Sequence, residues 1–128
     1  MIDDGRLEEM DRRRPMVEEA IEGGFLSFPT LRALIGQGLI QIWFGARSIM
    51  LSEVQSYDEH KAIQCFAAAG CRTEIEDIIR PAIEEWGRSQ GCDLALVEAS
   101  RPGWEKALRP HGYRRWSVTL AKVLQDVE

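Results

Sequence analysis

A change of hydrophobic period in mid-chain constrains the fold more than any other feature. Within residues 73–91, Ile75, Ile78, Ile79, Ala82, Ile83 and Trp86 recur at helical spacing and form one continuous apolar stripe. Three β-rich runs precede it, at 39–44, 48–56 and 61–68, and a fourth apolar run follows at 93–99. The first three runs are joined by the short links 45–47 and 57–60, which suit antiparallel neighbours. A long helix between the third and fourth runs demands a crossover, and therefore a parallel pair. The expectation is a mixed sheet. In the first run Ile40, Ile42 and Phe44 share one face and Leu39, Gln41 and Trp43 the other, so both faces are expected to be covered.

The flanks complete the order. Met16, Val17, Ala20 and Ile21 mark one face of a short helix over 13–22, stopped by Gly23-Gly24. Pro29 suits the first turn of a second helix that buries Leu31, Leu34 and Ile35. Thr73 and Glu76 have capping-box spacing, Pro81 predicts either a kink or a short turn with the main helix restarting there, and Gly91 predicts a stop. Residues 102–108 read as a short helix broken by Pro110 to Gly112. Residues 113–124 read as a long strand with Trp116, Val118, Leu120 and Leu124 on one face. Residues 1–12 lack apolar periodicity and are expected as a flexible charged arm on a single domain over 13–128. The predicted class is α/β, an α+β mixed sheet in the order α-α-β-β-β-α-β-α-β.

Length and composition exclude several classes. At 128 residues and 45% hydrophobic, the chain is the size of one domain and too apolar for wholesale disorder. No apolar run approaches the roughly 20 residues of a membrane span. The acidic start Met1-Ile2-Asp3-Asp4 lacks the layout of a signal peptide, so a cytoplasmic address is expected. Cys65, Cys71 and Cys92 have no metal-ligand spacing and are expected as reduced thiols, with no metal. The net charge is -5, yet Arg101, Lys106, Arg109, Arg114 and Arg115 face only Glu105 within 101–116. With Trp104, Tyr113 and Trp116 interleaved, this block is either a nucleic-acid or anion site or a solvated helix and strand edge.

The last third carries a family resemblance. Residues 81–92 read PAIEEWGRSQGC, a strand follows, and residues 101–113 read RPGWEKALRPHGY. A helix, a G-C-led strand and a short helix closing in G-[FY] resemble the GNAT family of N-acetyltransferases. More narrowly, RPGW and GYR resemble small GNAT-like proteins of tailed phages and prophages. The resemblance implies the GNAT fold, with the family's first and last strands missing or shortened. It implies an acyl-CoA site on the loop after the third strand, here Gly70, Cys71, Arg72 and Thr73. If the chain is an enzyme, the basic block at Arg101, Arg109 and Arg114 is expected to stand in for that loop as cofactor contacts.

This chain departs from the family at two places. The loop has one glycine where the family has a G-x-G/A pair, and Glu74, Glu76 and Asp77 follow at once in the helix's first turn. Carboxylates there satisfy the helix dipole themselves and oppose a diphosphate. Leu108 stands where the family commonly places an acid tyrosine, four residues before Gly112. His111, Tyr113 and Glu98 are the remaining catalytic candidates, with Glu53 and His60 as further ionisable groups.

Three readings follow. The first is a non-catalytic scaffold without cofactor, an accessory component of a phage particle or its assembly, bound to other virion proteins or to itself. The host cytoplasm or the virion is its expected location. The second is an acetyl-CoA-dependent N-acetyltransferase acting on a small amine or protein amino group, with catalysis by proximity. The third is nucleic-acid contact through 101–116.

Overall fold

Short turns and one helical crossover build the sheet. The computed structural model describes residues 5–98 and 103–125. Its strands are β1 (Gln41–Phe44), β2 (Ser48–Ser56), β3 (Lys61–Gly70) and β4 (Leu94–Val97), in the spatial order β1-β2-β3-β4. The first two pairings are antiparallel and β3–β4 is parallel. This is the mixed α/β class expected from the change of period.

Parity along the strands assigns the two faces. Helices α1 (Arg6–Arg12), α2 (Arg14–Ile21) and α3 (Phe28–Gly36) cover one of them. There Met10, Val17, Leu31 and Ile35 are buried in one cluster with Ile40, Ile42, Ile49, Leu51 and Ala69. Ser27 caps α3, its hydroxyl accepting the Thr30 N–H at 3.3 Å. On the opposite face Trp86 meets Trp43 edge to face, with centroids 5.7 Å apart. Gly87 allows that approach, because a Cβ there would stand 2.8 Å from Ile63 Cγ2.

Helix α1 corrects the expectation of a flexible arm. Only Leu7 and Met10 are apolar in it, too few for a periodic signal, yet Met10 is fully buried. Tertiary partners hold it in place. Asp11 accepts two bonds from Arg32 at 2.8 Å each, and the Arg13 guanidinium that follows the helix donates to Gly45 O at 2.6 Å.

The crossover helix is not uniform. It runs through α4 (Arg72–Glu74), a π-helical segment (Ile75–Ile79) and α5 (Arg80–Ser89). The disturbance expected from Pro81 thus appears one turn upstream, as a widened turn. A regular α-turn would press the proline ring on the carbonyl of Asp77, and widening relieves that. Arg80 Nε–H donates to the Glu76 carbonyl at 3.0 Å. The wider turn also resets the phase. Ile75, Ile79 and Ile83 are buried, whereas Ile78, expected in the core stripe, is exposed. The Thr73/Glu76 capping box does not form, since Cys71 is the N-cap and Thr73 lies inside the first turn, exposed. Gly91 ends the helix as expected at φ +85°, with Cys92 N–H donating to Gly87 O and Gly91 N–H to Arg88 O.

The chain divides into two compact units, Met1–Glu98 and Ala99–Glu128, where the sequence reading groups 13–128 together. In the second, α6 (Trp104–Leu108) runs into a 3-10 turn (Arg109–His111) closed by Gly112 at φ +92°. The strand expected over 113–124 is absent: these residues have no ladder partner among the described residues. A helix satisfies its own backbone, but a strand needs a neighbour, and period-two patterning does not supply one.

Candidate functional site

The parallel pair is short. It runs from Ala62↔Leu94 to Cys65↔Val97, and the Glu98 N–H then donates to Cys65 O at 2.9 Å. Beyond that point residues 66–70 pair only with β2 among the described residues. A bulge marks the same place. Leu51 faces Ala67 while Ser52 faces Cys65, so Phe66 is an extra residue on β3. Bulges bend a strand and end its pairing, and they recur beside functional sites. The result is a run of β3 backbone that, among the described residues, has no strand on the side where β4 ends. Glu98 sits exposed at its start, accepting from Gln64 Nε2 at 2.5 Å. Opposite Gln64 on β2, Glu53 accepts from Gln55 Nε2 at 2.7 Å, and Gln55 accepts from the Tyr57 hydroxyl at 2.7 Å.

The far end of that run meets the β1–β2 turn. Gly70 has φ +113°, and a Cβ on it would collide with the Arg47 carbonyl and Ser48 backbone. The Cys71 N–H is shared between Ser48 Oγ at 2.9 Å and Arg47 O at 3.3 Å. Ser48 Oγ is also 3.2 Å from Cys71 O, and Arg47 Nη2 is 3.7 Å from Cys71 Sγ. Glu74 turns inward to this turn and accepts the Arg47 N–H at 2.9 Å. The Ser48 hydroxyl, then the Arg47 and Ala46 amides, hold its carboxyl below the usual range. A Cβ on Gly45 would meet the Glu74 carboxylate, which would have to move aside.

The structure therefore brings Gly70 and Cys71 together with Arg47, Ser48 and Glu74, and commits both to the turn. Arg72 and Thr73 lie exposed in the helix start. The three carboxylates expected to face a diphosphate do not act alike. Glu74 braces the turn, Glu76 is half-buried and Asp77 exposed. Sequence reasoning missed Arg47 and Ser48 because they look like plain hairpin residues. Only the register Ser48↔Gly70 carries them to the loop.

The other candidates are scattered. Arg101 lies outside the described residues. Arg109 belongs to the second unit, 3.8 Å from Glu105, which also holds Arg115 at 2.7 Å. Arg115 in turn keeps the Glu105 carboxyl below its ordinary value. Glu105 thus serves two of the five cations of the block, Arg109 and Arg115. Leu108 is buried and accepts the Tyr113 N–H at 3.3 Å, while His111 is exposed at the end of the 3-10 turn. His60 pairs with Asp93 at 2.7 Å. Burial pushes the Cys65 thiol up to about 12 and raises that of Cys92. Among the described residues no cluster of His, Cys, Asp or Glu can hold a metal, and no helix is long and apolar enough to cross a membrane.

No protein-family model matches the chain, and no curated protein matches it. Solved structures do match. One, a probable acetyltransferase, superposes with a TM-score of 0.73 at 14% identity, covering 95% of both chains. An acetyltransferase of Trypanosoma brucei gives 0.66 at 11% identity, covering 93% of this chain and 95% of its own. An aminoglycoside N-acetyltransferase solved with CoA gives 0.63 at 10% identity, covering 92% and 90%. Strand order, the interrupted parallel pair and these superpositions converge: the chain has the GNAT acetyltransferase fold.

Proposed function

We propose that the chain uses this fold as a non-catalytic scaffold for protein partners, as an accessory component of a phage particle or its assembly. The carrying observation is the filled loop after β3. The fold implies an acyl-CoA coenzyme, and the free edge at 66–70 offers backbone groups to an extended pantetheine arm. The loop does not fit the diphosphate. The Cys71 amide already has two acceptors, and the Glu74 carboxylate, accepting the Arg47 N–H, brings a negative charge to the same turn. Anion binding at a helix start needs free N–H groups and no competing negative charge. The phage assignment draws its support from the text at Gly103-Trp104 and Gly112-Tyr113-Arg114. Calorimetry with acetyl-CoA and the full chain tests the scaffold reading. No heat at micromolar coenzyme is the expected result, and micromolar binding with turnover of any amine overturns it.

A second reading, an N-acetyltransferase acting on a small amine or protein amino group, is favoured by the interrupted pair itself. Under it Glu98, exposed just past the end of β4, accepts a proton from an incoming amine. Under this reading Glu98→Gln lowers kcat with little change in the coenzyme's Kd. Equal loss of both removes Glu98 from that role.

A further inference from the structure

The β1–β2 turn is gripped by a cation and an anion at once. Its carbonyls take the cation: Arg13 Nη1 donates to Gly45 O at 2.6 Å and to Ser48 O at 3.4 Å. Its amides take the anion: the Arg47 N–H donates to Glu74 Oε1 at 2.9 Å. The Ala46 amide and the Ser48 hydroxyl add to the hold on that carboxylate. Successive N–H groups of a turn form a concavity that binds anions, and hydrogen bonds to an ionised acceptor are the strong ones. The turn is therefore a nest already occupied, by a carboxylate that the chain itself supplies from 27 residues away.

Shape and charge fit one carboxylate. A Cβ on Gly45 would meet the Glu74 carboxylate, so glycine leaves the room that this group fills. Arg13 is shared with Glu9, which accepts from its Nε at 2.6 Å. Setting Glu9 against Arg13 leaves the positive charge of Arg47, which suits a monoanion better than a phosphate dianion. Ala46 and Arg47 are exposed whereas Glu74 is half-buried, so solvent reaches the nest once that side chain is withdrawn.

We propose that the β1–β2 turn is a binding site for a single carboxylate group and that Glu74 is its built-in occupant. The side chain acts as a plug: it latches the start of the crossover helix onto the hairpin and shuts the nest to free carboxylates. The inference concerns the amides of the turn, not those of the loop after β3, so it stands whether or not acetyl-CoA binds.

The full chain with Glu74→Ala tests it, because the substitution removes one methylene and the carboxylate and leaves a space the size of acetate. Thermal melts near neutral pH compare sodium acetate with sodium chloride at equal ionic strength. At ten times its dissociation constant, acetate is expected to raise the melting temperature of the variant by about 3–6 °C. The wild type, its nest filled, should not respond, nor should Glu74→Gln, which keeps the shape of the plug. In amide NMR spectra the Ala46 and Arg47 resonances should move most as acetate is added. Glu74→Ser with formate as the probe gives a second vacancy should the alanine variant fail to fold. No response from either vacated nest overturns the proposal, and so does an equal response from the wild type or Glu74→Gln. Phosphate stabilising Glu74→Ala more than acetate does overturns the assignment to a carboxylate.

Discussion

At the scale of single residues, the decisive positions are those where space or a proton is in short supply. Gly70 combines a left-handed φ with contact against the Arg47 carbonyl. Gly70→Ala should destabilise the first unit by about 1–3 kcal/mol, read as a lower urea midpoint with unchanged slope. An unchanged midpoint would show that the β1–β2 turn yields easily. Cys65 offers a chemical check. With its thiol pushed up to about 12 by burial, it should resist alkylation at neutral pH until the protein unfolds. Rapid labelling of all three cysteines in native protein would contradict the buried strand position. Gly70, Cys65 and Glu98 were all legible in the sequence as residues of interest. The orientation of Glu74 was not, because a carboxylate in a helix's first turn looks the same whether it faces solvent or braces a turn 27 residues away.

At the scale of elements, pairing depends on polar groups that periodicity treats as incidental. Ser52 is fully buried between β1 and β3, where its hydroxyl accepts the Trp43 Nε1–H at 2.9 Å and donates to Gln41 Oε1 at 2.9 Å. Ser52→Ala removes the partner of an indole N–H and should cost about 1–3 kcal/mol, with altered tryptophan fluorescence. Ile83 packs the crossover helix on the sheet, so Ile83→Ala should cost about 2–5 kcal/mol by denaturant melt. Strand and helix types were legible because strong periods leave few alternatives. The π-helical segment and the phase of Ile78 were not, since both depend on how Pro81 is accommodated in a helix already pinned to the sheet. The helix at residues 6–12 was missed for a related reason: its stability comes from Met10, Asp11 and Arg13 meeting distant partners, not from its own pattern.

At the scale of the whole molecule, pH is the broadest lever. Asp93 joins the starts of β3 and β4, accepting from His60 Nδ1 at 2.7 Å and the Lys61 N–H at 2.9 Å. These bonds, His60's first, hold its carboxyl below the usual value, as Arg partners do for Glu9, Asp11 and Glu105. A depressed carboxylate adds stability above its unfolded pKa, about 3.9 for Asp and 4.3 for Glu, and loses it as pH falls through the folded value. The melting temperature should therefore hold from neutrality to about pH 5 and drop below about pH 4. Asp93→Asn should flatten part of that acid limb, and an identical limb would deny Asp93 a share. The chain's own text determined the mixed sheet, the crossover and the resemblance to acetyltransferases, because alternation and helical spacing are local and survive without knowledge of neighbours. Only the tertiary structure decided that the β1–β2 turn meets the loop after β3, and that residues 113–124 have no ladder partner among the described residues. Both depend on which groups meet across the fold, and hydrogen bonds between distant segments leave no period in a sequence.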